Sequence, residues 1–246
     1  VQGDYKGTLK FMDNYVDSQV RRGETPKKQS LELILSSCVK IKDDACTTGA
    51  LERLVKYYPT PEYWQNIMYS LFRQDTDDKV LLNTFRLAAD VDALKRGEEY
   101  TEMAQLAIEQ GSPGEAVSTL EKAFAKNVFT EQRDKDRAQR LTDSAKTRAA
   151  ADRSSMAKNE SVANGLPNGD LLVQLGAAYL GFSEPDKAEA VISRGITKGN
   201  LKHVDEAHLL LGIAELRLKK MDEARKAFGK VAADSKYARL AKLWSL

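Results

Sequence analysis

Between Asp170 and Lys230 the chain nearly repeats itself. Leu175-Gly176 returns as Leu211-Gly212 and Ala188 returns as Ala224, each 36 residues later. A fixed period of this size means that one supersecondary unit is stacked on copies of itself, each covering a face its neighbour cannot bury alone. Inside the unit, Ala188, Val191, Ile192, Gly195 and Ile196 fall at offsets 0, 3, 4, 7 and 8, one stripe of an α-helix. The stripe comes back at Ala224, Ala227, Phe228, Val231 and Ala232. The turn Gly181-Phe182-Ser183-Glu184-Pro185 separates it from the helix before. Small residues at Gly176 and Ala188, and again at Gly212 and Ala224, let the paired helices approach closely.

The same period reaches further back. Ala50 to Ala116 is 66 residues, two units of 33, and Ala116 to Ala188 is 72, two units of 36. Few glycines and prolines punctuate the chain, β-branched alternation is scarce, and Ala, Leu, Lys and Glu dominate, so the expected class is all-α. No run of 18 apolar residues is present, which excludes a helical membrane span. With 38 basic against 36 acidic residues the net charge is +2, too little for a general field that would attract nucleic acid.

In chain order, Thr8, Phe11, Met12, Tyr15 and Val16 form the stripe of a second hairpin helix with only seven residues before it. Either the parent chain extends upstream to supply the missing helix, or this one is a cap covered in some other way. Ser30 is placed to cap a helix through Leu31, Leu33, Ile34 and Leu35, and a second helix carries Ala50, Leu51, Leu54, Val55, Tyr57 and Tyr58 and ends before Pro59. Thr60-Pro61 starts the next, which carries Tyr63, Trp64, Ile67, Met68, Leu71 and Phe72. Its partner carries Leu81, Phe85, Leu87, Ala88 and Ala89; core packing explains this aromatic-rich pair better than a ligand box. Ser112 and Glu115 have capping-box spacing, ahead of Ala116, Leu120, Ala123 and Phe124. Tyr237, Leu240, Ala241 and Trp244 form a last helix that would cover the end of the array, with Lys236, Arg239 and Lys242 towards water.

Residues 131–160 depart most from the repeat. Both charges are interleaved there and only a thin stripe of Ala138, Leu141, Ala145 and Ala149 is apolar, the pattern of a solvated helix. Residues 159–169, with two Asn-Gly pairs and Pro167, read as a loop or hinge. The expected organisation is therefore an N-terminal degenerate array over 1–158, that hinge, and a C-terminal pair of units with its capping helix over 170–246.

Cys38 and Cys46 sit on opposite arms of the 28–58 hairpin, near its turn. They are either joined by a disulfide, which would add roughly 2 to 3 kcal/mol on the chain-entropy estimate, or are two partly buried thiols of a cytosolic protein. A spacing of eight matches no zinc pattern, and His203 and His208 are five apart, on different helix faces, so no metal site or cofactor is expected. No phosphate-binding loop, dinucleotide motif or nucleophile elbow occurs. Asp43-Asp44 and Asp77-Asp78 lie at turns where helix capping accounts for them. No catalytic role is expected.

Leu175-Gly176-x2-Tyr179, then Ala188 and the apolar Ile192 four residues on, resembles the tetratricopeptide repeat; the second unit matches except that Glu215 stands where an aromatic residue is usual. The resemblance implies an all-α, right-handed superhelical solenoid of antiparallel helix hairpins, closed here by a C-terminal capping helix. It also implies a concave groove, lined by the first helix of each hairpin, that holds a protein or peptide partner. Carried onto the matching units, the lining is Asp170, Val173, Ala177 and Leu180, then Glu206, Leu209, Ile213, Leu216 and Arg217. Such a surface is apolar with charged edges. It suits an amphipathic helix or hydrophobic peptide, unless the superhelical turn or a second copy of the chain covers it. The stretch from Tyr57 to Trp64 is similar to exported tetratricopeptide proteins of Gram-negative bacteria, which implies a periplasmic location, with the cytoplasm as the alternative. A small-ligand or cell-wall-fragment binder and a purely structural envelope subunit are the competing functions.

Overall fold

A computed structural model describes residues 3–74 and 77–246. Among the described residues there are thirteen α-helices and no strand. They group into two compact units, one holding residues 3–74, 88–93 and 246, the other 77–87 and 94–245. Residues 159–169, expected as a hinge, lie within the second unit.

The first unit contains α1 (Tyr5–Arg21), α2 (Lys28–Lys40), α3 (Asp44–Tyr57) and α4 (Pro61–Phe72), each packed on the next. Val16, Leu31, Ile34, Cys38, Ala50 and Leu54 form its core. Cys38 and Cys46 are joined by a disulfide across the α2–α3 turn, with Cα atoms 5.4 Å apart. Asp43 caps α3 by accepting from the Cys46 amide at 2.9 Å. Ser30 does not cap α2: the chain is already helical from Lys28, because Lys27 is extended and accepts the first bonds of the helix. Thr60 and Pro61 start α4 as expected, and Trp64, Ile67 and Met68 are core. Of the α1 stripe, Val16 is buried while Phe11 is 70% exposed. Arg53 holds α1 to α3 by pairing with Asp13 at 2.9 Å and Asp17 at 3.3 Å.

The second unit contains α6 (Gly97–Glu109), α7 (Pro113–Ala125), α8 (Gln132–Gly165), α9 (Asp170–Gly181), α10 (Pro185–Lys198), α11 (Val204–Arg217), α12 (Met221–Phe228) and α13 (Ala238–Trp244). It also takes residues 78–87 of α5 (Asp78–Asp90). The hairpins α6–α7, α9–α10 and α11–α12 turn in one way. Gly111, Ser183 and Lys219 are left-handed, and the next amide in each case returns to the carbonyl five residues back: Ser112 to Ala107, Glu184 to Tyr179, Lys220 to Glu215. Lys42 does the same in the first unit, with Asp43 bonded to Cys38. The repeat is therefore written in the turns as well as in the apolar stripe. Gly176 and Gly212 face Ile192 and Phe228 so closely that a Cβ at either would overlap the opposing side chain.

Two elements differ from expectation. Helix α12 stops at Phe228, so Val231 and Ala232 fall outside it and Ala232 is exposed; its amide instead donates to Asp205 Oδ1 at 3.0 Å. Helix α8 runs through Asn159 to Gly165, and only 166–169 leave the helix. Partners on α10 explain it. Lys198 Nζ donates to the carbonyls of Ala163, Asn164 and Leu166 at 2.9, 2.8 and 2.7 Å, satisfying the open end of α8, and Arg194 pairs with Glu160. Leu166, extended before Pro167, then ends the helix. The stripe of Ala138, Ala145 and Ala149 is buried, with Leu141 half-buried. Because α7 packs directly on α9, α8 is a rod added to the flank of the stack, not a degenerate hairpin within it. Tyr237, Leu240, Ala241 and Trp244 are buried, and Phe228 and Trp244 stack with centroids 6.4 Å apart.

Candidate functional site

The expected lining does not stay together. Asp170, Val173, Ala177 and Glu206 border a cleft in the second unit. Leu180, Leu209 and Ile213 are 3%, 0% and 0% exposed and belong to the core. Leu216 borders neither hollow of the cleft, and Arg217 is turned to the carbonyl of Leu180, at 3.4 Å. The reason is geometric: α11 has α9, α10 and α12 around it, so little more than the Glu206–Leu210 edge is left for the cleft.

The cleft consists of two adjoining hollows of about 380 and 280 Å³ that share Lys79, Val173, Gln174 and Glu206. The larger is closed on one side by α5, through Lys79, Leu82, Asn83 and Arg86, and by the 109–112 turn. The smaller is bordered by Leu201, Lys202 and His203 ahead of α11. Its floor is apolar and its walls are charged.

Three ion pairs fix α5 there. Lys79 Nζ meets Glu206 Oε2 at 2.8 Å, Asp77 pairs with Lys236, and Arg86 is clamped by the Glu115 carboxylate. Arg86 also donates to Asn83 Oδ1 at 3.0 Å. Lys79, Asn83 and Arg86 stand at offsets 0, 4 and 7, one face of the helix. Val80, Leu82, Phe85 and Leu87 are buried, so α5 is covered nearly all round. Tyr237 lies beside this cluster; burial first, then Glu206 and Asp77, push its hydroxyl well above the ordinary tyrosine value.

Sequence reasoning missed α5 as part of this site. The available signal was a run of polar residues, Asn83, Thr84 and Arg86, inside a helix otherwise apolar from Val80 to Ala89. It also assigned Glu115 to a capping box with Ser112, whereas Ser112 makes no side-chain cap and Glu115 turns to Arg86. Among the described residues no helix is long and apolar enough to cross a membrane, and no three His, Cys, Asp or Glu residues are grouped as metal ligands.

Residues 206–235, covering α11 from its first turn and all of α12, match the tetratricopeptide repeat family model. The fold is similar to the crystal structure of a tetratricopeptide repeat protein from Parabacteroides merdae, with a TM-score of 0.36 and 12% sequence identity over 97% of this chain and 98% of that one. No curated protein matches the chain.

Proposed function

Starting from a chain of the tetratricopeptide repeat family, whose repeats generally mediate protein–protein interaction and are generally non-catalytic, we propose that it is a scaffold that holds a segment of a protein partner in the cleft beside α9 and α11. One observation supports this above others. The cleft joins an apolar floor, Val173, Ala177 and Leu210, to charged walls, the arrangement that orients an amphipathic segment. The lining includes Asp170, Val173, Ala177 and Glu206; Leu180, Leu209, Ile213, Leu216 and Arg217 act only by holding its shape.

A photo-cross-linking residue at the exposed Gln174, compared with one at Lys135 on α8, tests the reading in a native extract. A protein adduct is expected from Gln174 alone, and Ala177→Arg should remove it. A copurifying small molecule in the cleft with no protein adduct would support the small-ligand alternative instead. The Cys38–Cys46 disulfide supports an oxidising compartment, in keeping with export to the periplasm. Cell fractionation tests that part: recovery with the cytosolic proteins, thiols reduced, overturns it.

A further inference from the structure

We propose that the outer face of α8 is a docking surface for an anionic phospholipid membrane. Arg133, Arg137, Arg140, Arg148 and Lys158 stand at offsets 0, 4, 7, 15 and 25, which places them within an arc of about 80° at 3.6 residues per turn. All are exposed, and none meets a carboxylate among the described residues. Only Ser144, Ala151 and Ser155 intervene on this stripe, which runs for about 38 Å along the helix. The acids of α8 do not neutralise it, since each lies about 80° or more from its centre by the same helical count. Asp136 and Asp143 accept from Gln132 and Gln139, and Glu160 pairs with Arg194. Outside the stripe, Lys146 meets Glu121 and Arg153 meets Glu184. A nearly balanced count of charges thus hides a segregated one, because both signs share the sequence but not the face. A protein interface needs a desolvated apolar core, and from Arg133 to Lys158 this stripe has none. A bilayer surface needs only cations in a row, each adding to the attraction. Past Lys158 the face turns apolar: Val162 is 51% exposed and Leu166, just after the helix, 37% exposed. Aliphatic side chains there enter the boundary between headgroups and acyl chains, for which a nucleic-acid backbone has no counterpart. None of these residues borders the cleft, so the surface stands independently of the scaffold reading.

Flotation of the full chain with vesicles tests this, using phosphatidylcholine alone or mixed with one third phosphatidylglycerol. The wild type should float with the anionic vesicles only, and its binding should fall by about tenfold or more between about 0.05 and 0.5 M salt. Arg133→Gln, Arg140→Gln and Arg148→Gln should each weaken binding by about fivefold. Lys135→Gln removes the same charge from the side of the helix, and should change it by less than about twofold. Val162→Ser should weaken it by about threefold through lost insertion, with no change in the salt dependence. No flotation with anionic vesicles, or equal losses from Lys135→Gln and Arg140→Gln, overturns the proposal. Binding of a labelled duplex oligonucleotide that the arginine variants lose and Val162→Ser keeps, without flotation, also overturns it and assigns the stripe to nucleic acid. The salt dependence of the wild type needs no variant, so a substitution that disturbs α8 leaves that measurement decisive.

Discussion

Arg86 donates to both oxygens of the Glu115 carboxylate, from Nε at 2.8 Å and from an η nitrogen at 2.7 Å, with side chains only 4% and 8% exposed. A pair so buried is costly to break because the survivor is a charge out of water. Arg86→Ala should destabilise the second unit by about 3 to 5 kcal/mol in urea unfolding. The apolar pair Arg86→Met with Glu115→Leu should recover most of that loss, which a purely local packing defect would not.

Lys198 is the cap of α8. Replacing it by Ala should cost about 1 kcal/mol, since three carbonyls lose a charged donor at a helix C-terminus. Amide exchange should rise over 160–165 and stay unchanged over 138–149, which the alanine stripe holds. Uniform protection would show that Lys198 does not hold this end.

Helix α11 carries two ionisable groups seven residues apart, both buried, with His208 Nδ1 and Glu215 Oε2 lacking hydrogen-bond partners among the described residues. Burial, then Lys230, lowers the imidazole below 6.5, partly offset by Asp205. Burial, then Glu189 and Glu223, raises the Glu215 carboxyl above 4.5 against Lys220 and Lys230. For His208 the unfolded chain binds the proton more readily, so stability falls as pH drops through 6.5. For Glu215 the stability is complete below 4.5 and is lost as pH rises through the raised folded value. The two therefore oppose each other: between 4.5 and 6.5 neither contribution is complete, Glu215 favouring lower pH and His208 higher. Urea midpoints of the single variants across that range separate them. Glu215→Gln should remove the loss that sets in above 4.5 and stabilise at neutral pH by about 1 kcal/mol; His208→Gln should remove the loss that sets in below 6.5.

Reducing Cys38–Cys46 should cost roughly 2 to 3 kcal/mol in the first unit. Thermal unfolding with and without dithiothreitol measures it, and the Cys38→Ala, Cys46→Ala double variant should be insensitive to the reagent. A midpoint that does not move in the wild type would show that packing around α2 and α3 carries the unit alone.

Where the residues themselves act locally, the sequence was a good guide. Thr60-Pro61 opens α4, Asp43 caps its helix, and the Gly176 and Gly212 contacts follow from size at fixed spacing. It failed where a distant partner decides. Asn159 to Gly165 look like a loop until Arg194 and Lys198 arrive from α10. Leu209 and Ile213 look like groove lining until α9, α10 and α12 surround α11, and nothing near Lys79 in sequence announces Glu206. Glu215 was visible as the departure from the repeat, yet the lack of a partner at its buried Oε2 is set by tertiary packing.

The 34 residues of α8 extend about 50 Å, against roughly 20 Å for a hairpin helix. It lies on both α7 and α9, through a stripe of small side chains at Ala138, Ala145 and Ala149 that lets it come close to its neighbours. One unbroken helix thus joins Gln132 to the carbonyls that Lys198 caps, giving the flank of the stack a single element longer than any of its hairpin helices.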